Sequence, residues 1–247
     1  MDPILQRSLP YDVGVKRPLP SVRPLQRSDW LHIDEAYERQ MGERDRLLAE
    51  QRPSVVVLSD TAWPAAQELL DLVLSDLGLR SDFCVQPAEV QRPDGVWVQI
   101  DRCDPMGTLG RLVQEDLCLL EKSSEEHLLT GAVLCFPASW TLADKFMRPL
   151  TVIHEPVELY DENMALRVQR MFDGINPIRP IWRYNLLNYS DPTLYQPRST
   201  IETRDRDEGI CLQYIRSERQ CVLRMPQTNA VVFSIHTYVL KNPNWVI

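Results

Sequence analysis

The order of hydrophobic patterns along the chain is the feature that most constrains its fold. Helix-like periodicity dominates the first two thirds, whereas alternating polar and apolar residues, which are typical of strands, dominate the last third. Near the end, for example, Val231, Phe233 and Ile235 alternate with Ser234 and His236. Helices followed by antiparallel strands indicate an α+β fold rather than alternating βαβ units.

The same patterns predict where the main elements lie. We expect helices at residues 28–50, 61–78, 108–122, 141–147 and 161–172, and late strands at 181–188, 210–215, 220–225 and 230–240. Between two of these strands stands the charged cluster Arg216-Ser-Glu-Arg219-Gln. Such a cluster is typical of a turn with surface ion pairs.

Proline sets the first 27 residues apart from the rest. Pro10, Pro18, Pro20 and Pro24 fix φ and remove backbone donors, so residues 1–27 are expected to form an extended arm over the surface. Residues 28–247 contain no linker that would force a boundary, and we expect them to form a single domain.

Composition excludes several classes of function. A formal net charge of −8 argues against nucleic acid and against an anionic membrane surface as partners. None of the nine glycines forms a phosphate-binding loop, and no apolar run is long enough to span a membrane. The six cysteines include no C-x-x-C pair. The N-terminus does not resemble a signal peptide, so we expect reduced thiols and a cytoplasmic location.

Four histidines limit the possible metal chemistry. None is spaced for a helical metal pair, but His154 lies in the apolar stretch Leu150-Thr-Val-Ile-His-Glu-Pro156. A histidine so placed either hydrogen-bonds a backbone carbonyl or acts as a single axial ligand to a large apolar cofactor. The segment of residues 140–195, which contains His154, is rich in aromatic and cationic side chains. Two readings stay open for that segment: a core wall with a solvated rim, or a pocket that pairs carboxylates with guanidinium groups.

Several motifs in order resemble one known family. They are Phe136-Pro-Ala-Ser-Trp-Thr-Leu-Ala-Asp-Lys145, Ile153-His-x-Pro-Val157, Trp182-Arg-x-Asn185, Asp191-Pro-Thr-Leu-Tyr-Gln-Pro197 and Arg216-Ser-Glu-Arg-Gln220. With similar segments upstream, the resemblance to the alpha subunits of haem-dependent oxidative N-demethylases covers nearly the whole chain. The sequence departs from the family pattern at Glu158, where proline is usual, and at Leu186, where tryptophan is common.

The resemblance implies a fold, a cofactor and a reaction. The fold is a PAS-like antiparallel sheet with flanking helices, and the cofactor is haem b with its iron held by His154. The implied reaction uses O2 to remove a methyl group from a small secondary amine, with release of formaldehyde. Electrons come from a separate NADPH-dependent reductase that contains flavin and an iron–sulfur cluster.

For the remaining site residues we predict binding roles and no catalytic step. Arg183 and Arg219 are expected to pair with haem propionates, because a guanidinium fork matches a carboxylate. Lys145 and Asn185 are expected to be polar groups of the haem pocket, and His236 is the alternative iron ligand. Two other functions fit the same residues: a non-catalytic haem-binding PAS-type sensor or carrier, and a haem-free scaffold.

Overall fold

A computed structural model describes residues 2–14, 20–154, 162–198 and 212–243. The helices are α1 (Tyr37–Glu50), α2 (Arg52–Val55), α3 (Trp63–Gly78), α4 (Pro105–Leu112), α5 (Leu142–Lys145), α6 (Leu150–His154) and α7 (Glu162–Gly174). The strands are β1 (Arg23–Pro24), β2 (Val56–Leu58), β3 (Cys84–Val85), β4 (Glu89–Gln91), β5 (Trp97–Gln99), β6 (Asp116–Ser123), β7 (Glu126–Val133), β8 (Ile181–Tyr189), β9 (Tyr214–Arg224) and β10 (Val231–Lys241). Within these ranges, no helix is both long and apolar enough to cross a membrane.

Seven strands form one large sheet in the order β1-β8-β9-β10-β6-β7-β2. Every neighbouring pair is antiparallel, and β9 pairs with β10 from Arg224 opposite Val231 to Tyr214 opposite Lys241. A separate three-stranded sheet contains β3, β4 and β5. The predicted α+β class with an antiparallel sheet is therefore confirmed, whereas the PAS-like assignment stays a prediction.

The large sheet separates two hydrophobic cores. Because successive side chains of a strand point to opposite faces, Cys221 and Leu223 of β9 pack with α1, α3 and α4, while Val222 between them packs with α5, α6 and α7. The first core is the larger of the two. The second core includes Leu142, Leu150 and Phe172, and it surrounds the cavity described below.

The described parts of the N-terminal segment lie against the sheet. Gln6 exchanges hydrogen bonds with Val239, from its backbone N to the Val239 carbonyl (2.9 Å) and from the Val239 N to Gln6 Oε1 (2.8 Å). The Tyr11 hydroxyl lies 2.8 Å from Ser217 Oγ, and β1 pairs with β8. The extended arm over residues 1–27 and a separate domain from residue 28 stay predictions.

The helix predicted at 108–122 is wrong. Helix α4 ends at Leu112, and the apolar run that follows forms the internal strand β6. Leu117 and Leu119 enter one core, and Cys118 and Leu120 enter the other. A strand that is buried on both faces shows no alternation, so its sequence resembles that of a buried helix.

The turn predicted at residues 216–220 is also wrong, because β9 runs through it without interruption. Arg216 and Arg219 are buried rather than exposed. The Arg216 guanidinium donates to the carbonyls of Phe136 (2.7 Å) and Leu194 (3.1 Å). Backbone carbonyls of neighbouring segments therefore accept hydrogen bonds from this charge in the interior, although the sequence pattern predicts that it faces solvent. The Arg216 Nε has no hydrogen-bond partner among the described residues.

The first helix starts later than predicted. Residues Arg27–Asp29 form a single 3-10 turn, and α1 begins at Tyr37. Between them Trp30 is buried, and its indole Nε1 donates to Ser234 Oγ at 2.9 Å. This anchor holds residues 30–36 against the sheet instead of in the helix.

Candidate functional site

A cavity of about 520 Å³ lies between the large sheet and helices α5, α6 and α7. Its walls are mainly aliphatic and aromatic side chains, among them Leu120, Leu129, Ile153, Val168, Phe233 and Ile235. Pro20 and Val22 of the N-terminal segment line it as well. Pockets for small molecules and cofactors commonly have volumes of ~300–1,000 Å³ and apolar walls with a few polar groups.

The strand pair β8–β9 supplies most of the polar groups of this cavity. Asn185 is the register partner of Glu218, and Arg183 is the partner of Gln220, so the four side chains adjoin on one face. Glu218 Oε2 accepts hydrogen bonds from Asn185 Nδ2 (2.9 Å) and Gln220 Nε2 (3.0 Å). In the described part of the chain, no group donates to Glu218 Oε1. A carboxylate with 8 % exposure is thus fixed in orientation with one oxygen available to a ligand.

Arg183 faces the same cavity with incomplete hydrogen bonding. Its Nε is buried and has no hydrogen-bond partner within the described ranges. Burial lowers the pKa of this guanidinium, and the negative charge of Glu218 only partly offsets the effect. A buried donor without an acceptor costs about 1–3 kcal/mol, so this position favours an anionic or carbonyl group of a ligand.

Lys145 ends α5 and is the second cation of the cavity. Its Nζ lies 4.1 Å from the centre of the Trp140 ring, which is a cation–π distance. Burial lowers the pKa of Lys145 to about 8, although the nearby Cys118, Glu218 and Asp144 act in the opposite direction. The amine therefore loses its proton far more readily than an ordinary lysine.

His154 is the last residue of α6, and the structure describes its backbone position but not its side chain. One turn earlier Leu150 lines the cavity, and Ile153 does so too. The predicted iron ligand thus belongs to a helix that forms part of the cavity wall. The two motif residues after it that carry the resemblance, Pro156 and Val157, lie outside the described residues, as does Glu158.

Arg219 does not line the cavity. It points to the opposite face of β9, where it donates to the carbonyls of Asp29 (2.6 Å) and Trp30 (3.1 Å). It also lies over the Trp182 ring at 5.0 Å. Its hydrogen bonds support the fold, and this placement counts against the predicted pairing of Arg219 with a haem propionate. The structure brings together Lys145, Arg183 and Asn185 and leaves Arg219 apart.

His236 also lies on that opposite face, within a buried ionic cluster. Its Nδ1 is 3.0 Å from Glu115 Oε1, and its Nε2 is 3.1 Å from Asp34 Oδ2. Burial acts to lower the pKa of His236, but the hydrogen bonds to the two carboxylates outweigh it and raise the pKa to about 9. Both ring nitrogens are occupied, so His236 is poorly suited to be the alternative iron ligand.

The sequence pattern does not indicate Glu218 and Gln220 as site residues. Both belong to the predicted turn, although the spacing of Glu218, Gln220 and Val222 is the alternation of a strand. Extending the strand pattern back from Val222 would have placed both side chains on the face that carries the cavity. Among the described residues, no group of three or more His, Cys, Asp and Glu could hold a metal ion.

The residues of this cavity fit a haem. Apolar walls suit the porphyrin plane, and the buried Arg183 Nε lacks the acceptor that a propionate would provide. Comparison with known families gives a match over residues 21–243 to the family described as "Haem-dependent oxidative N-demethylase, alpha subunit-like". That range contains every element of the large sheet and every residue of the cavity except Pro20. The chain therefore belongs to the haem-dependent oxidative N-demethylase alpha-subunit-like family.

Proposed function

We propose that this chain is the haem b subunit of an oxidative N-demethylase that acts on a small, positively charged amine. Membership of the family indicates haem dependence and, as an alpha subunit, a partner subunit. The observation that carries the proposal is the cavity itself, where apolar walls enclose an unsatisfied guanidinium and an oriented carboxylate. This combination suits a large flat cofactor with acidic edges together with a small cation.

In this proposal His154 would hold the haem iron through a ring nitrogen, and Arg183 would pair with a propionate. The haem, when bound, supplies dioxygen activation at its iron. Lys145 and Asn185 remain polar groups of the cavity, and Asn185 acts by holding Glu218. The aliphatic walls exclude water, which strengthens each of these electrostatic contacts.

Glu218 is proposed to bind the ammonium group of the substrate. Simple alkylamines resemble the lysine side chain and are protonated at neutral pH. The carboxylate is held by Asn185 and Gln220 through Oε2, so Oε1 is free to accept a hydrogen bond from the substrate nitrogen. A charge-assisted hydrogen bond in a desolvated cavity also selects against neutral molecules of the same shape.

The electrons are proposed to come from a separate reductase that carries flavin and an iron–sulfur cluster and uses NADPH. The chain has no glycine-rich nucleotide loop and no C-x-x-C pair, which supports this division of labour. The proposed location is cytoplasmic, where such a donor and reduced thiols occur together.

An absorption spectrum of the purified chain tests the cofactor. We expect a Soret band in the wild type and its loss, with the fold retained, in His154→Ala. Arg183→Ala should weaken haem retention by about ten- to a hundred-fold, since it removes a charge-assisted hydrogen bond of about 1.5–3 kcal/mol. Arg46→Ala, which changes a surface arginine on α1, is the matched control and should leave retention unchanged. Equal rates of haem transfer from the wild type, Arg183→Ala and Arg46→Ala would contradict the role of Arg183.

Amine-dependent turnover tests the reaction. With a chemical electron donor, the haem-loaded protein should consume O2 and release formaldehyde only when dimethylamine is present. Glu218→Gln keeps the shape and an acceptor oxygen but removes the charge, so KM should rise at least about tenfold with unchanged haem content. Glu121→Gln, outside the cavity, is the control. A haem-loaded protein without amine-dependent O2 uptake would identify a sensor or carrier instead, and a protein without haem would identify a scaffold.

A further inference from the structure

Lysine is rare in this chain, and the cavity contains one of the few. Of 27 basic residues only four are lysines, at positions 16, 122, 145 and 241. Lys122 is half-exposed and pairs with Asp173 at 2.7 Å, Lys241 is exposed, and Lys16 lies outside the described residues. Arginine serves as the cation nearly everywhere else. A lysine in the apolar cavity therefore suggests a role that arginine cannot perform, which is to act as a neutral amine.

The surroundings of Lys145 keep it reactive. Its Nζ lies over Trp140, and no carboxylate of a described residue lies within ion-pair distance of it. Burial is the main cause that lowers the pKa of Lys145 to about 8. At pH 7 roughly a tenth of this amine is then neutral, against roughly one in three thousand for a lysine with a pKa of 10.5.

We propose that Lys145 is a nucleophilic amine that captures small aldehydes in the cavity as an imine. An oxidative N-demethylation leaves the methyl carbon as formaldehyde, so the proposed reaction generates such an aldehyde inside the same cavity. Desolvated lysines in apolar pockets are the usual Schiff-base nucleophiles of proteins. The inference concerns an activity of this side chain that needs neither haem nor electron transfer.

The chemistry balances without an oxidant or reductant. The Nζ lone pair attacks the carbonyl carbon, a C–N bond forms, and one N–H proton moves to the carbonyl oxygen. The resulting hydroxyl group then leaves as water with the second N–H proton, and a C=N bond remains. An amine and an aldehyde thus become an imine and one water molecule. The apolar walls favour this side of the equilibrium because the reaction releases water, which an apolar lining binds poorly.

Reductive trapping on the full chain tests the proposal. The purified protein is treated briefly with isotopically labelled formaldehyde and cyanoborohydride, which reduces an imine to a methylated lysine. Peptide mass mapping then gives a labelling rate for each lysine. At pH 7 we expect Lys145 to be labelled at least about tenfold faster than Lys122, despite its burial, because roughly a tenth of the Lys145 amine is neutral at that pH. The labelling rate at Lys145 should rise with pH and level off above pH 8, where most of its amine is neutral.

Two variants separate this chemistry from a merely structural role. Lys145→Arg keeps the charge and should lose the fast labelling phase, whereas Lys122→Arg should keep it. Labelling of Lys145 that is no faster than that of Lys122 overturns the proposal, whether the cause is a closed cavity or a lysine paired with a haem carboxylate. The assay does not depend on the haem spectrum or on amine turnover. Failure of the proposed function would therefore leave fast labelling intact, and failure of this inference would leave turnover intact.

Discussion

The buried cluster of His236, Asp34 and Glu115 makes the stability of the protein depend on pH in a specific way. His236 is 1 % exposed and bridges the two carboxylates on the face of the sheet opposite the cavity. Its imidazole is charged in the folded protein well above the pH at which a free histidine loses its proton. Raising the pH therefore removes a stabilising charge from a site that has no access to water.

The size and sign follow from the pKa of His236 in the two states. That pKa is about 9 in the folded chain and 6.5 in the unfolded chain. The contribution is fully present below pH 6.5 and is lost as the pH rises through 9. A difference of about 2.5 pKa units corresponds to about 3 kcal/mol, with a slope of at most about 1.4 kcal/mol per pH unit.

The neighbouring His32 acts in the opposite direction. Its ring centre lies 5.7 Å from that of His236, and its Nδ1 is 2.7 Å from the Tyr238 hydroxyl. Burial, together with the positive charges of Arg219 and His236, lowers the pKa of His32 to about 4. Protonation of His32 therefore destabilises the fold as the pH falls from 6.5 through 4. Together the two histidines predict a stability maximum near pH 6.5.

Urea unfolding of the wild type and of His236→Gln, at half-unit steps from pH 5 to pH 9.5, measures this effect. Cysteines and tyrosines also titrate above pH 8, so the difference between the two proteins isolates His236. The wild type should lose about 3 kcal/mol more than the variant between pH 6.5 and pH 9.5. Should the variant fail to fold, the NMR titration of the His236 ring in the wild type gives its pKa directly. A midpoint near 6.5, or parallel stability curves, would refute the reasoning.

The remaining predictions concern the core and the iron. Asp116→Asn breaks a fully buried ion pair with Arg44 at 2.7 Å and should cost about 3–5 kcal/mol of unfolding free energy, so a loss below 1 kcal/mol in urea unfolding would contradict it. Leu119→Ala on β6 empties a site with 0 % exposure and should cost about 2–5 kcal/mol, whereas Leu187→Ala at 45 % exposure should cost under 1 kcal/mol in the same assay. If O2 can reach the iron of the bound haem, the reduced haem protein should bind carbon monoxide rapidly in a stopped-flow measurement, and a low-spin spectrum unaffected by carbon monoxide would contradict this access.

Elements with a clear one-sided pattern could be predicted from the sequence. Helix α3 matches the predicted residues 61–78 closely, because Leu69, Leu70, Val73 and Leu77 repeat with helical spacing and face one core. Strand β10 matches because polar Ser234 and His236 alternate with apolar Phe233 and Ile235, although both of its faces are buried. Strand β6 could not be predicted, since both of its faces are buried and alternation disappears.

The site could be predicted only in part for a related reason. The motifs predict Lys145, Arg183 and Asn185 as site residues, and all three line one cavity. Arg219 is predicted as a further site residue because a guanidinium matches a propionate. That match does not depend on which face of the strand carries the side chain. The neighbouring Glu218 is predicted to lie at the surface, whereas the structure places it in the wall of the cavity.

The sequence by itself therefore determined the α+β class, the absence of a phosphate-binding glycine loop and the family to which the chain belongs. These properties depend on local periodicity, residue spacing and ordered motifs, which a linear pattern contains. The tertiary structure decided which polar groups meet. The register of β8 with β9 places Asn185 opposite Glu218, and the uninterrupted course of β9 places Glu218 and Arg219 on opposite faces. In a strand a shift of one residue moves a side chain to the other face, so only the pairing of distant segments fixes which charge enters the cavity.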